Sequence, residues 1–240
     1  MEKKDNHGSE EQPDGEKIFH SIFDPMEEAN GKPPELWVNV PKNFSHESLG
    51  KLLFHSPLQK KSKRLGLWLT RYFFLYENYL AYSHSNDPKK IQKYMKLDGV
   101  KVCINAEKEG HKNPKDKNAI VFFRSNSFFK LYVNDNDLVY KWREHLKNFC
   151  VMINFYHTYS VIKMLGKGSY GRVFLVEHLR EKKDYAVKLL EKSKIISHMK
   201  GVECLINEIN ILRSTKHESI LQLHEVYESA SSVYIVLEYL

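Results

Sequence analysis

Apolar and polar positions divide the chain into three stretches with different rhythms. Up to residue 45 no period holds: apolar pairs such as Ile18-Phe19 and Ile22-Phe23 stand among charges and the prolines Pro13, Pro25, Pro33, Pro34 and Pro41. This predicts a largely disordered leader, 1–45, whose apolar pairs are candidates for docking on a partner or a later domain. Beyond it, β-branched and aromatic runs bounded by small polar residues predict strands over 50–54, 67–75, 79–82, 95–104, 119–124 and 128–133. Turns are expected at Glu77-Asn78 and at Ser125-Asn126-Ser127. Leu138, Trp142, Leu146, Phe149 and Ile153 then recur at helical intervals, predicting one long amphipathic helix that runs to about residue 153. The last stretch starts near Tyr159 with strand-like runs around a glycine cluster. It continues through a helix whose apolar face carries Val202, Leu205, Ile206, Ile209 and Leu212, and closes on an apolar run over 234–240.

The glycine cluster carries the chemistry. Leu165, Gly166, Lys167, Gly168, Ser169, Tyr170, Gly171, Arg172 and Val173 follow one another, and Gly166, Gly168 and Gly171 satisfy a G-x-G-x-x-G spacing. A dinucleotide fingerprint would need a helix straight after the glycines to hold a pyrophosphate. Here Val173, Phe174, Leu175 and Val176 favour a strand, so strand, glycine turn and strand form a flap whose backbone can approach phosphate oxygens. Lys188 lies 17 residues after Gly171, within Tyr185-Ala186-Val187-Lys188, and Glu208 follows 20 residues later on the helix. A carboxylate on an apolar helix face needs a partner, and Lys188 is the candidate.

These motifs, in this order, resemble the small lobe of the eukaryotic serine/threonine protein kinases over 159–240. The resemblance implies ATP as ligand. Leu165, Gly166, Lys167, Gly168, Ser169, Tyr170 and Gly171 would cover the phosphates, Val173 and Ala186 would roof the adenine, and Lys188, oriented by Glu208, would hold the α- and β-phosphates. Leu237 matches the gatekeeper, with the Glu238 carbonyl and the Leu240 amide meeting the adenine edge. Leu212 and Leu223 match an internal hydrophobic column and read equally as ordinary core. The 240 residues contain no His-Arg-Asp, Asp-Phe-Gly or Ala-Pro-Glu segment, so the catalytic base and the Mg²⁺ ligands of the family are missing from them. The expectation is an N-terminal fragment of a longer kinase, truncated at the hinge and inactive alone, whose full form would transfer the ATP γ-phosphate to protein Ser/Thr hydroxyls. The alternative is a non-catalytic membrane-sensing or scaffold protein with a vestigial lobe.

The strands and capping helix over 46–153, with Gly50, the Trp68 strand and Trp142, resemble the pleckstrin-homology domain. The fold class expected is thus α+β and multidomain: an antiparallel β-barrel or sandwich with a C-terminal capping helix, then a five-stranded antiparallel sheet plus one helix. Members that bind inositol phosphates usually place basic residues where this chain has Phe54 or His55 and Leu69. Arg71 remains, and Lys60, Lys61, Lys63 and Arg64 are expected in the following loop. Weak attraction to anionic membranes or phosphoinositides is one reading and a solvated basic loop the other. About five residues are left between the two units, which implies contact between them. The order resembles that of the protein kinase B and protein kinase D families, and suggests that the β domain restrains the lobe until a membrane engages it.

Composition adds bounds. The leader carries 5 Lys/Arg and 10 Asp/Glu, while 46–150 carries 20 and 10 and owns the positive excess of the chain, whose net charge is +7. No recognition helix or base-stacking motif accompanies that charge, so nucleic acid is not an expected partner. Cys103, Cys150 and Cys204 form no metal or disulfide pattern, which with the charged N-terminus favours a reducing, cytoplasmic setting with membrane recruitment. Metal ligands are expected nowhere in this stretch. Glu2 excludes N-myristoylation.

Overall fold

A computed structural model of the chain describes residues 21–24, 36–62, 66–104, 118–125, 127–133, 135–168 and 171–240. The architecture is α+β and mostly strand. A seven-stranded partly open barrel is followed by a five-stranded antiparallel sheet, and a short strand joins the two.

The barrel is built from β2 (Leu52–Lys61), β3 (Trp68–Tyr76), β4 (Tyr79–Ser83), β5 (Lys93–Lys96), β6 (Lys101–Ile104), β7 (Ala119–Arg124) and β8 (Ser127–Tyr132), after a two-residue edge strand β1 (Val38–Asn39). It runs in the order β1-β5-β4-β3-β2-β8-β7-β6, and β5 and β6 do not pair, so the barrel stays open there. The hairpin at Glu77-Asn78 closes as expected: Tyr76 pairs with Tyr79, and Asn78 takes the left-handed φ of 62° that asparagine tolerates. Helix α1 (Asn136–Leu146), capped by the Asp135 carboxylate on the Asp137 amide, plugs one end. Trp142 is fully buried beneath it and donates its indole N–H to Ser56 Oγ at 2.9 Å.

Four expectations are corrected. The first barrel strand extends to Lys61, which places Lys60 and Lys61 on the strand and not in a loop. The single strand expected over 95–104 is two strands, broken at Asp98-Gly99, where Gly99 takes a φ of 71°. The ordered region does not begin at 46: β1 pairs with β5, Trp37 packs edge-on against Phe73 and Tyr82, and Phe44 stacks on Tyr94. Finally, α1 ends at Leu146 instead of running to 153. Cys150 is buried, and β9 (Val151–Met152) forms a strand because its backbone finds partners on both sides, β6 in one domain and β13 (Leu223–Glu228) in the other, both parallel.

The second unit follows through a single turn of helix, α2 (Phe155–Thr158), within the short linker expected between the units. Its sheet runs β13-β14-β12-β11-β10, with β10 (Tyr159–Lys167), β11 (Gly171–His178), β12 (Asp184–Glu191) and β14 (Ser232–Glu238). Helices α3 (Lys192–Ser197) and α4 (Gly201–Ser214) cover one face, through Leu205 and Ile209 packed on Leu190, Val226, Val233 and Ile235. The opposite face, carrying Tyr185, Val187, Tyr234 and Val236, belongs to one continuous apolar core with Trp142, Leu146 and the barrel interior. Through β9 the two units share one 14-stranded sheet.

That shared face contains charge. Arg143, 4% exposed, donates from one guanidinium nitrogen to both oxygens of Glu225 at 2.9 and 3.3 Å and to the Tyr227 hydroxyl at 2.8 Å. The Tyr159 hydroxyl also donates to Glu225. Burial works to raise the Glu225 carboxyl, yet Arg143 and His224 outweigh it and hold the group below the usual carboxylate range. At the rim, the Arg180 guanidinium lies 3.3 Å from the centre of the Tyr140 ring.

Candidate nucleotide-binding site

The glycine cluster sits in a β-hairpin, not ahead of a helix. Gly166 pairs with Val173 and Lys167 with Arg172, and the Gly168 amide donates to the Gly171 carbonyl at 2.9 Å. A register shift between Met164 and Gly166 leaves Leu165 as an extra, exposed residue. Ser169 and Tyr170, at the expected tip, lie outside the described residues.

The three glycines differ in what holds them. A Cβ at Gly171 would stand 2.3 Å from the Leu189 carbonyl oxygen, so this glycine is demanded by the close approach of β11 to β12. A Cβ at Gly166 would meet nothing within 4 Å, and one at Gly168 only the Gly171 oxygen at 3.9 Å. Those two leave open space around their Cα atoms.

Strand register brings the remaining residues together. Lys188 pairs with Val173 on one side and Ile235 on the other, and Ala186 pairs with Leu175 and with Leu237. Directly opposed antiparallel residues share a face, so Val173, Ala186, Lys188 and Leu237 all point to the side covered by α4 and away from the barrel. From that face Lys188 Nζ meets Glu208 Oε1 at 2.8 Å. Neither partner is deeply buried: the side chains are 34% and 45% exposed. The expectation of a buried carboxylate is thereby corrected, because Leu205 and Ile209 form the buried line of α4 and Glu208 falls on its border. A cavity of about 360 Å³ opens beside the pair, between β12, α3 and α4, lined among others by Leu190, Ile195 and Leu205.

Of the residues expected at the hinge, the Glu238 amide donates to the Gln222 carbonyl at 3.0 Å, and its carboxylate accepts from the Gln222 amide at 2.7 Å. Leu240 is 90% exposed. ATP fits what is present: open glycines, a lysine held by a carboxylate and an apolar strip in register. Among the described residues no group of three or more His, Cys, Asp or Glu converges to hold a metal ion.

At the barrel mouth, Lys60 and Arg71 lie on adjacent strands, with Lys93 beyond them on β5 and His84 following β4. Lys60 Nζ stands 4.5 Å from the centre of the Tyr82 ring. Burial first, then Arg71 and Lys93, lower its ammonium, and burial followed by Arg71 and Lys60 lowers His84. Cations that depress one another in this way stand close enough to repel. Lys93 and His84 were not singled out from the sequence; Lys93 pairs with Tyr82 across β4 and β5, a register that no local pattern announces. Lys61 is exposed at the end of β2, and Lys63 and Arg64 lie outside the described residues. No helix among the described residues is long and apolar enough to cross a membrane.

Residues 159–240 match the protein kinase domain family and residues 52–151 match the PH domain family. The chain is similar to a serine/threonine-protein kinase H1 homolog of Danio rerio, 38% identical over 80 residues, 33% of this chain and 18% of that protein. It is similar also to serine/threonine-protein kinase cds1 of Schizosaccharomyces pombe, 36% over 84 residues, 34% and 18% of the two chains. Serine/threonine-protein kinase Sgk1 of Gallus gallus is 33% identical over 82 residues, 34% and 19%. The chain thus spans less than a fifth of each of these relatives. The glycine hairpin with its lysine and helix carboxylate therefore lies within the stretch that matches the protein kinase domain, after the stretch that matches the PH domain, and the relatives just named are serine/threonine kinases.

Proposed function

We propose that residues 159–240 are the ATP-binding lobe of a serine/threonine protein kinase that phosphorylates protein hydroxyls, and that the preceding domain controls how this lobe is held. The observation that carries the reading is the 2.8 Å contact between Lys188 and Glu208, reached from a strand beside the glycine hairpin. The bound nucleotide supplies the transferable phosphoryl group. Lys188 neutralises its α- and β-phosphate oxygens, while Glu208 fixes the ammonium so that no reorganisation is needed on binding. Gly166 and Gly168 let backbone amides approach the same oxygens. Val173, Ala186 and Leu237 offer apolar contact to adenine, and the Glu238 carbonyl and Leu240 amide its polar edge. The general base and metal ligands are assigned to a further lobe.

Titrating ATP into isotopically labelled chain tests this. Amide shifts are expected at Gly166, Gly168, Ala186 and Leu237, and are lost in Lys188→Met. Shifts confined to the barrel mouth in both proteins would overturn the assignment.

The PH domain's basic mouth is proposed to give weak recruitment of a cytoplasmic protein to anionic membranes, each cation contributing about 1 kcal/mol near the surface. Lys60, Arg71 and Lys93 form its centre, with Lys61 at the end of the same strand as Lys60, and Lys63 and Arg64, next in sequence, are proposed as further contacts. Control of the lobe is proposed to act through the sheet face that carries Glu225, opposite Lys188, so it works on lobe geometry and not by covering the nucleotide.

A further inference from the structure

Four residues of the leader are bound at the junction of the two domains. Ser21 is 1% exposed; its hydroxyl donates to Glu228 Oε2 at 2.6 Å, and accepts from the Phe23 amide at 3.0 Å. The Ile22 amide donates to Glu228 Oε1 at 2.9 Å. Glu228 lies at the end of β13 with a side chain fully withdrawn from solvent, and Lys192 of α3 meets the same Oε1 at 2.7 Å. The lobe therefore contributes a carboxylate, already fixed by a lysine, that receives one hydroxyl and one backbone amide.

The other end of the segment belongs to the barrel. Asp24 Oδ1 accepts from the Ser125 amide at 2.8 Å, and Oδ2 lies 4.0 Å from Lys101 Nζ, with both side chains nearly buried. The Ser21 amide also reaches Oδ2, at 3.3 Å, which folds residues 21–24 into a closed turn. Between these polar ends Ile22 and Phe23 pack against the apolar cluster under α4. The Phe23 carbonyl comes so close to Gly99 that a Cβ there would stand 2.4 Å from it, so Gly99 serves both the break between β5 and β6 and the seat of this segment.

We infer that the junction is a peptide-docking site reading a neutral hydroxyl, an aliphatic residue, an aromatic residue and a carboxylate in succession, and that residues 21–24 occupy it in cis. Its two polar ends lie on different domains, so an occupant clamps them together. An anionic group at the hydroxyl position is rejected, because it would bring a second anion within hydrogen-bond distance of the Glu228 carboxylate in a site withdrawn from solvent. A second peptide of the same chemistry binds only where the leader has left. The inference does not rest on nucleotide binding.

The test uses the full chain and a fluorescent peptide covering residues 17–26. In the wild type, hydrogen exchange at the Ile22 and Ser125 amides is expected to be protected, and in Ser21→Asp that protection is lost while the β12 amides stay protected. The peptide is expected to saturate the Ser21→Asp chain and to bind the wild type at least ~10-fold more weakly, since the tethered segment competes at high effective concentration. The same peptide carrying aspartate at position 21 is expected not to bind. Should Ser21→Asp fail to fold, Asp24→Ala in the full chain supplies the vacated seat for the same measurements. Free exchange of Ile22 in the wild type, or equal peptide binding by the wild type and the vacated chain, would overturn the inference.

Discussion

Arg143→Met removes a charge and leaves most of the volume, so it isolates what the inter-domain ion pair does. Glu225 has no solvent-exposed side-chain area, and Arg143 approaches both of its oxygens. At an effective dielectric constant of about 20, a pair at ~4 Å attracts by ~4 kcal/mol, and breaking such a buried pair typically costs ~3 to 5 kcal/mol, because the remaining charge is stranded. The single substitution is therefore expected to lower unfolding stability by ~3 to 5 kcal/mol at pH 7. Pairing it with Glu225→Gln keeps an acceptor for Tyr159 and removes the stranded charge, and should restore most of the loss. Urea unfolding followed by tryptophan fluorescence measures both, with Cm carrying the effect and m unchanged. The sign with pH follows from Glu225, whose folded value lies below its unfolded one. Its contribution is present above the unfolded value near 4.5 and is lost as pH falls through the folded one, so the penalty of Arg143→Met shrinks in acid. A single-substitution cost under ~1 kcal/mol, or a double substitution as damaging as the single, would refute the reasoning.

Three further outcomes follow. Trp142→Ala empties the barrel plug and leaves Ser56 without its indole donor, for an expected loss of ~3 to 5 kcal/mol in the same urea titration. Burial lowers His224 to about 4, with Lys147 acting in the same sense and Glu225, Glu181 and Glu144 opposing. The unfolded chain then binds more protons than the folded one between about pH 6.5 and 4, so stability falls across that window by up to ~3 kcal/mol; a His224→Gln chain with the same slope would count against it. Gly171→Ala forces a Cβ against the Leu189 carbonyl and should destabilise the lobe, whereas Gly166→Ala meets open space and should leave its melting temperature unchanged while weakening ATP binding.

The parts of this fold that were legible in the sequence are those whose signals are local. The glycine hairpin, the β3–β4 turn at Asn78 and the helix carrying Glu208 each announce themselves through residue type and period over a short window. The helix expected to run to 153 shows where period misleads. Phe149 and Ile153 continue the helical spacing, but the Val151 amide bonds the Val100 carbonyl at 2.9 Å and the Ile153 amide bonds the Val102 carbonyl at 3.1 Å, partners supplied only by the folded barrel. Asp98-Gly99 is a local turn dipeptide, yet the apolar residues on both sides of it also fit the single strand expected over 95–104. Pro57 within β2 argues against an interior strand, yet it pairs with Tyr72 in a strand of ten residues. Lys188 and Glu208 were found by motif, but their exposure was not, since sequence places a residue on a helix face without saying where that face ends. Arg143 and Glu225 gave no signal: each is an ordinary charge in its own segment, and only the shared sheet turns them into a buried pair.

The central claim is that Lys188, held by Glu208 beside the glycine hairpin, faces a nucleotide's phosphates. An acyl-phosphate derivative of ATP tests it directly, because a lysine amine lying at the phosphates attacks the acyl carbonyl, forms a stable amide and releases ATP. After brief exposure of the 240-residue chain, mass spectrometry of its peptides should find Lys188 as the principal acylated lysine, with labelling suppressed by excess ATP and greatly reduced at that site in Glu208→Gln. Acylation spread over surface lysines, indifferent to competing ATP, with Lys188 no more reactive than the rest, would contradict the account.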